Sequence, residues 1–514
     1  MNRAALKCTQ SRAGDRSWKD ALVAVDVGTS GARAAAFDLE GERRLEIRRP
    51  YPTHIPRPGW AEQDAARWRS AALAALGELV RRLGPRRRVH AIGLTGQCPS
   101  LVVLDAAQRP VRAGLIYRDN RALEEARRIR EAFGEAEIHR RTGHLPSAFH
   151  IAPKLLWLRA NEPETWRRVR LALQPRDFVA MGLTGEAVTD GTHAAATLAF
   201  ALRDGDWDRD ILGRLDLEPG LFPPVRASTS VVGTLRPAVA ARLGLPAATP
   251  VVLGGADSQS CALGAGVIGP GPVSEMAGSS TCLNAAVPRP LDVLEVTHYP
   301  NVVPGSFSTE TGINTTGEAV RWLANLLYGG RRGTASGRDF ARLDAEVSRV
   351  PPLAGGVLAL PVLGDGERTD PALRGAFVGL SLRHDRAALA RALLEGVAFA
   401  IRGQLDLLRQ GGAPVTELRV SGGDARLGTW NTIKADVTGV PVSTVPGDAA
   451  VTGVAMLAGI GAGVYRDAAE AIARCVRRDP PIQPDARLCQ LYEGGYAAWR
   501  SLAESRAVRT TEAG

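Results

Sequence analysis

An α/β fold divided between two domains is what this sequence predicts, and three observations predict it. Strand-like apolar runs that close on glycine recur at 21–30, 89–97, 250–259 and 418–426. Amphipathic helical stretches fill the intervals, which is the alternation of strands with helices that cover a sheet. The length, 514 residues, exceeds what one hydrophobic core organises, and roughly 150 residues per domain gives two or three.

Taken in order, MNRAALKCTQSRAGDRSWKD at 1–20 is polar and basic and lacks the apolar centre of a secretory signal. It reads as a disordered extension, and the cytoplasm is the expected compartment. ALVAVDVGTS at 21–30 is the first strand with its turn. Glu62 to Leu83 is expected to be a helix that places Trp68, Leu76 and Val80 on one face. VHAIGLTGQ and PVVLGGADSQ are further strands that end in glycine bends. GAGVIGPGPVS at 264–274 is the densest glycine and proline stretch near the middle. It sets an N-terminal domain at 21–267 and a C-terminal domain at 268–500. Asp385 caps a helix that runs to Gln410 and stops at Gly411 and Gly412. LRVSGGDAR is the last strand and turn, and 501–514 carries little apolar periodicity and reads as a frayed tail.

Composition removes several function classes. Hydrophobic residues at 45% and charged residues at 23% exclude wholesale disorder and low complexity. The longest apolar runs, such as Ala449 to Ile460, fall short of the roughly 18–20 residues of a membrane-spanning helix. The six cysteines, Cys8, Cys98, Cys261, Cys282, Cys475 and Cys489, form no CxxC pair, so free thiols are expected rather than a disulfide framework or a zinc site. The net charge of +10 is arginine scattered along the chain, not a stripe with interleaved aromatics. It describes a solvated surface that attracts small anions, with no nucleic-acid partner.

Four short segments carry candidate chemistry. Asp26, Gly28, Thr29, Ser30 and Gly31 lie between two strand-like runs. Such a turn lets backbone N–H groups and hydroxyls approach phosphate, and a carboxylate beside it can face Mg²⁺ through water. GxxxxGK[ST] is absent, so this is no P-loop; a plain hairpin turn would use the same residues. Gly278, Ser279, Ser280 and Thr281 repeat the chemistry in the second half, and the longer stretches 26–38 and 275–287 echo each other. Asp257 leaves a buried strand at Gly254 and Gly255. It is placed to accept a proton from a hydroxyl that attacks phosphorus and to cap a helix that starts at Ser258, and one carboxylate can do both. Gly422 and Gly423, with Asn431 beyond them, leave room for a flat ring or a ribose, or make a tight strand-to-helix turn.

In this combination and order the chain resembles the FGGY family of carbohydrate kinases, most closely its xylulokinase-like branch, from about residue 21 to about residue 465. The matching stretches are DVGTSG, PGWAEQDAARW, GLTGQ, APKLLWL, LTGE with Asp190, GGADSQ, GERTDPALRGAFVGL, LLEGVAFAI and SGGDARLGTWN. The resemblance implies two actin-like (ribonuclease H-like) domains around a central cleft for MgATP and a small sugar, transfer of the γ-phosphoryl group to a sugar hydroxyl, and a homodimer. By motif it implies that Asp257 is the catalytic base and that Asp26 faces the metal through water. Gly28, Thr29, Ser30, Arg33, Gly278 and Ser279 become phosphate-side residues. Gly317, Gly422, Gly423 and Asn431 become adenosine contacts, and Trp60, Gln97 and Gln259 line the sugar side with Asp257. A family loop near the cleft covers Gly364 to Thr369, with Arg368.

The departures concern the acceptor. Where a xylulokinase resembles Gln-Met-His-Gly, this chain reads Gln97, Cys98, Pro99, Ser100, and the Arg-Glu pair of a glycerol kinase is missing as well. Ser258 stands where xylulokinases commonly have Asn, and Asp424 replaces a third glycine. The expected acceptor is a ketopentose such as xylulose. The alternatives are a polyol, a sugar acid, or a non-catalytic actin-like protein that binds sugar and nucleotide.

Overall fold

Two six-stranded sheets of one plan form the frame. In this computed structural model the described residues are 18–329, 333–364, 366–367, 370, 372–505 and 508–509. The first sheet contains β1 (Asp20–Val27), β2 (Gly31–Phe37), β3 (Arg43–Pro50), β4 (Arg88–Gly96), β5 (Val231–Thr234) and β6 (Pro250–Val252), in the order β5-β6-β4-β1-β2-β3. The second contains β7 (Gly271–Ala277), β8 (Thr281–Val287), β9 (Thr297–Pro300), β10 (Phe307–Ile313), β11 (Val415–Gly422) and β12 (Val442–Thr444), in the order β9-β10-β8-β7-β11-β12. In each, the first strand is antiparallel to the hairpin partner that follows it and parallel to a later strand. The echo between 26–38 and 275–287 is therefore structural: both stretches are the central hairpin of a sheet.

The central strand β1 of the first sheet is mostly apolar because helices cover both faces. Leu22, Val23, Ala24 and Val25 on β1 are all buried. On one face α1 (Ala65–Leu83) and α2 (Pro175–Thr184) enclose a core with Trp68, Leu76 and Phe178. The short α3 (Gly191–Ala195) leads out of Asp190, and α4 (Asp257–Gly264) follows β6. The second sheet packs against α5 (Gly317–Tyr328), α6 (Arg386–Gln410), α7 (Gly428–Thr438) and, further along the chain, Ala486–Glu504. One helix crosses over. α8 (Ala449–Gly461) follows β12 of the second sheet, yet its Val451, Val454 and Ala455 pack on Leu22, Ala24 and Ala91 of the first.

Three boundaries differ from expectation. The helix expected from Glu62 starts at Ala65, because Asp64 is extended and its side chain accepts from the Ala66 N–H, while Glu62 and Gln63 pair with Gly114 and Leu115. Of the expected extension, Trp18 stacks on Arg87 at 4.4 Å and Asp20 already belongs to β1. Of the expected frayed tail, the last helix runs to Glu504, Val508 is buried beside Leu360 and Val362, and Arg509 pairs with Asp370 at 2.8 Å. A few apolar groups docking in a pocket need no periodicity, which is why the pattern was silent there. The helix after Asp385 runs as expected, capped by that side chain at the Ala388 N–H and ending at Gly411. Among the described residues no helix is long and apolar enough to cross a membrane, and five cysteines are free thiols.

Candidate active site

Asp257 is the first helical residue of α4, and the cap position is taken by Ala256. Its Oδ1 accepts from the Ser258 N–H at 2.9 Å, so the carboxylate serves one N–H at the start of the helix from inside its first turn. The bend that presents it is built from glycine. Gly254 has φ +72°, and a Cβ there would lie 1.8 Å from the Leu94 carbonyl oxygen, so no other residue fits without moving β4.

Side chains from three other segments hold that bend. Arg176 Nη1 donates to the carbonyls of Leu253 at 2.6 Å and Gly254 at 2.9 Å. Thr95 Oγ1 donates to the Gly255 carbonyl at 2.7 Å, and Thr192 Oγ1 accepts from the Ala256 N–H at 2.8 Å. Arg176 is in turn fixed by Asp190 at 2.7 Å and Asp177 at 2.8 Å. Asp190 also accepts from Thr192, Ser228 and His193. Burial alone would raise the Asp190 carboxyl; Arg176, His193 and Thr192 overcome it and hold the group far below the usual carboxylate range. Asp190 is thus a permanently charged anchor.

The Asp257 carboxyl moves the other way. Burial, the charge of Asp26 and, more weakly, that of Glu310 push it up to about 7, against the pull of the Ser258 N–H. A buried carboxyl poised near neutrality is suited to take a proton from an alcohol.

Asp26, next to last in β1, lies directly opposite Arg33 on β2, and Arg33 Nη2 donates to it at 2.8 Å. The other arm of the guanidinium reaches Asp448, the cap of α8. Arg33, expected on the phosphate side, is instead committed between two carboxylates. Burial pushes Asp26 up, while Asp448, although buried, is held below its ordinary range by Arg33. The Gly28 to Gly31 turn beside Asp26 is pinned from outside. Tyr51 donates its hydroxyl to the Gly28 carbonyl, and Gln63 Nε2 donates to the Thr29 carbonyl at 2.7 Å. Gly28 N–H bonds the Gly31 carbonyl, and Ser30 is exposed at the tip.

The second hairpin turn is built alike. Gly278 N–H bonds the Ser280 carbonyl at 3.0 Å, and Gly278 and Ser279 are exposed. The Ser279 carbonyl accepts from Thr316 and Glu318, each at 3.1 Å, which joins this turn to Gly317 at the start of α5. Gly422 ends β11 at φ +99°, where a Cβ would lie 2.1 Å from the Ala277 carbonyl, and Gly423 N–H bonds that same carbonyl. Gly278, Ser279, Gly317, Gly422 and Gly423 therefore share one corner of the second sheet.

Several expected ligand contacts are engaged by protein instead. Asn431 is buried; its Nδ2 donates to the Ala425 carbonyl at 3.0 Å, while its Oδ1 has no protein partner among the described residues. Trp60 is packed against Arg121 at 3.8 Å and edge-on to Trp157 at 5.4 Å. Gln97 is buried and bonded to Gln63 at 2.8 Å, and Gln259 is buried with Nε2 at 3.2 Å from Glu310. Cys98 packs with Ala194, Ala195 and Tyr299, and burial together with the nearby Asp257 charge pushes its thiol up, leaving it neutral. Arg368, Thr369 and the side chain of Asp424 lie outside the described residues.

Arg176, Thr95, Thr192, Glu310 and Asp448 were not found from the sequence. Asp190 stood in a matched stretch, but nothing local marks Arg176, and a lone Glu in the Ser-Thr-Glu-Thr run of β10 reads as a solvent-facing position.

Comparison with known proteins bears on this arrangement. The models for the N-terminal and C-terminal domains of the FGGY family of carbohydrate kinases match residues 21–264 and 274–462. The xylulose kinase of Bacillus subtilis is 28% identical over 488 residues, covering 94% of this chain and 96% of that protein. The autoinducer-2 kinase of Salmonella typhimurium is 29% identical over 514 residues, covering 96% and 95%. The crystal structure of xylulose kinase from Rhodospirillum rubrum superposes with a TM-score of 0.87 at 31% identity, covering 94% of this chain and 98% of that one. Both hairpin turns and Asp257 fall inside the matched spans, and with them the chain belongs to the FGGY family of carbohydrate kinases, phosphotransferases that act on a sugar hydroxyl.

Proposed function

We propose that the protein transfers the γ-phosphoryl group of ATP to a hydroxyl of a neutral ketopentose such as xylulose, with Asp257 as the base. The observation that carries this reading is the Asp257 carboxyl: it follows a glycine bend held by Arg176, and burial and the charge of Asp26 raise it to about 7. Asp257 orients the attacking hydroxyl and accepts its proton as the oxygen closes on phosphorus. In this reading the turns at Gly28–Gly31 and Gly278–Ser280 stabilise phosphate charge, and the corner of Gly317, Gly422 and Gly423 takes the adenosine. Thr29 and Ser30 add hydroxyls on the same side.

The carboxylate donors suit Mg²⁺. Among the described residues no cluster of three or more His, Cys, Asp or Glu is arranged to hold a metal by itself. That fits an ion bound mainly by nucleotide phosphates and water, with Asp26 reaching it through water, and the ion would supply neutralisation of phosphate charge.

The charge pattern favours a neutral acceptor over a sugar acid. Asp257, Asp26 and Glu310 bring negative charge to the site, while Arg33 and Arg176 are each held between two carboxylates. The names of the xylulose kinases among its relatives favour a ketopentose. Pro99, in place of the expected histidine, removes one polar contact without adding charge.

The test is ADP release with MgATP against ketopentoses, pentitols, tetritols, glycerol and sugar acids, with Asp257→Asn alongside. Turnover is expected with a ketopentose and is expected to fall by on the order of 10²-fold or more in the variant, with ATP binding little changed. Full activity in Asp257→Asn, or turnover confined to sugar acids, would overturn this reading.

A further inference from the structure

Asp257 is carried by the first sheet, yet the turn that holds it is braced from the second. Glu310 lies on β10 and is 5% exposed. Its Oε2 accepts from Ser258 Oγ at 2.6 Å and from Gln259 Nε2 at 3.2 Å, the two residues that follow Asp257. Gln259 Nε2 also lies 3.4 Å from Asn284 Oδ1 on β8, which accepts from Ser308 Oγ at 3.3 Å. The first turn of α4 is thereby bonded to two strands of the opposite sheet.

A buried carboxylate is a costly way to tie two elements together if a neutral acceptor would serve. Its placement next to the base gives it a use. The Arg176 clamp fixes the chain before Asp257, and the Glu310 bonds fix the chain after it. The Arg176 clamp and the packing of α4 on α8 set where the helix lies, and the Glu310 bonds set the side chains of its first turn. With both, the carboxylate has one direction.

We propose that Glu310 is a positioning residue for phosphoryl transfer: acting through Ser258 and Gln259, it holds the first turn of α4 so that Asp257 meets the acceptor hydroxyl only when the two sheets are docked. This rests on the reading of Asp257 as the base. It also gives Ser258 a use: its hydroxyl makes the shortest bond of the brace.

Glu310→Gln keeps an acceptor oxygen for both donors, Glu310→Ala removes it, and Ser258→Ala removes the shorter bond without touching the carboxylate. Expected are a kcat loss of roughly 10- to 100-fold in Glu310→Ala, a smaller loss in Ser258→Ala, and activity within about 3-fold of wild type in Glu310→Gln. The KM for ATP is expected to stay near wild type in all three. Because Ser258 acts through the same carboxylate, the double variant Ser258→Ala, Glu310→Ala is expected to lose no more than Glu310→Ala alone. Wild-type kcat in Ser258→Ala and Glu310→Ala, or a rise in the KM for ATP with kcat unchanged, would overturn the proposal.

Amide hydrogen exchange of the whole protein separates this proposal from the one it rests on. Glu310→Ala is expected to speed exchange in the first turns of α4 while β1 and β4 keep their protection. Unchanged exchange in α4 defeats the brace whatever the catalytic result, whereas full turnover in Asp257→Asn defeats the base assignment and leaves the exchange result standing. If Glu310→Ala does not fold, Ser258→Ala decides both readouts.

Discussion

Three effects meet on the Asp257 carboxyl: burial, the charge of Asp26 and the charge of Glu310, all favouring the protonated form. Activity should therefore climb with pH, with the acid limb of kcat/KM inflecting near 7, where the base becomes ionised; a pH–rate profile checks this. Stability should move in the opposite sense. A carboxyl raised above its unfolded value stabilises fully below the ordinary carboxylate range, and that contribution is lost as pH rises through about 7. Asp257→Asn is thus expected to be more stable than wild type at pH 8, by on the order of 1–3 kcal/mol, and nearly equal to it at pH 4. Thermal unfolding at the two pH values measures the difference. Asp190 differs although its residue type is the same, because Arg176 outweighs its burial. No property of the isolated residue separates the two; the neighbouring guanidinium does.

At the scale of elements, the two central hairpins share a turn and differ in the charge beside it. Asp26, two places before Gly28, keeps a partly exposed side chain and faces Arg33, whereas Met276, two places before Gly278, carries no charge, and its neighbour Glu275 is wholly buried and ion-paired with Lys434 of α7 at 2.6 Å. A second element-level feature is the crossing of α4 and α8. A Cβ on Gly264 would lie 1.9 Å from the Ala449 carbonyl, and one on Gly453 would lie 1.9 Å from the Ser260 carbonyl. Backbone meets backbone there, so the helix that bears the base can sit no closer to the one capped by Asp448. Gly453→Ala is expected to cost about 2–4 kcal/mol by forcing the helices apart, and to lower kcat because α4 shifts with them. Chemical denaturation and turnover of the same variant test the two consequences together.

Across the whole molecule, Arg33 joins β2 to the cap of α8, residues separated by 415 positions in the chain. Glu310 and Ser258, 52 positions apart, make the corresponding tie from the second sheet to the first. Replacing the guanidinium, as in Arg33→Met, leaves two largely buried carboxylates without a partner. A loss of roughly 2–4 kcal/mol is expected at pH 7. Asp448 is held below its ordinary value, so its contribution is present at neutral pH and is lost as pH falls. The deficit of the variant is accordingly expected to shrink at pH 4, as urea unfolding at both pH values would show.

The alternation of strands and helices, the echo between the hairpins, Asp26 and Asp257 at strand ends and the glycines of the bends were legible in the sequence. Each is a local matter: periodicity, turn geometry and residue type act over a few positions. The tertiary structure alone decided that Arg33 serves two carboxylates, that Asn431 and Trp60 are bonded to or packed on protein, that Arg176 holds the bend before Asp257 through Leu253, 77 positions away, and that Glu310 bonds Ser258 and Gln259 after it. The charge, hydrogen bonding and freedom of a side chain are set by what the fold brings beside it, and that is fixed by strand pairing and helix docking between distant parts of the chain.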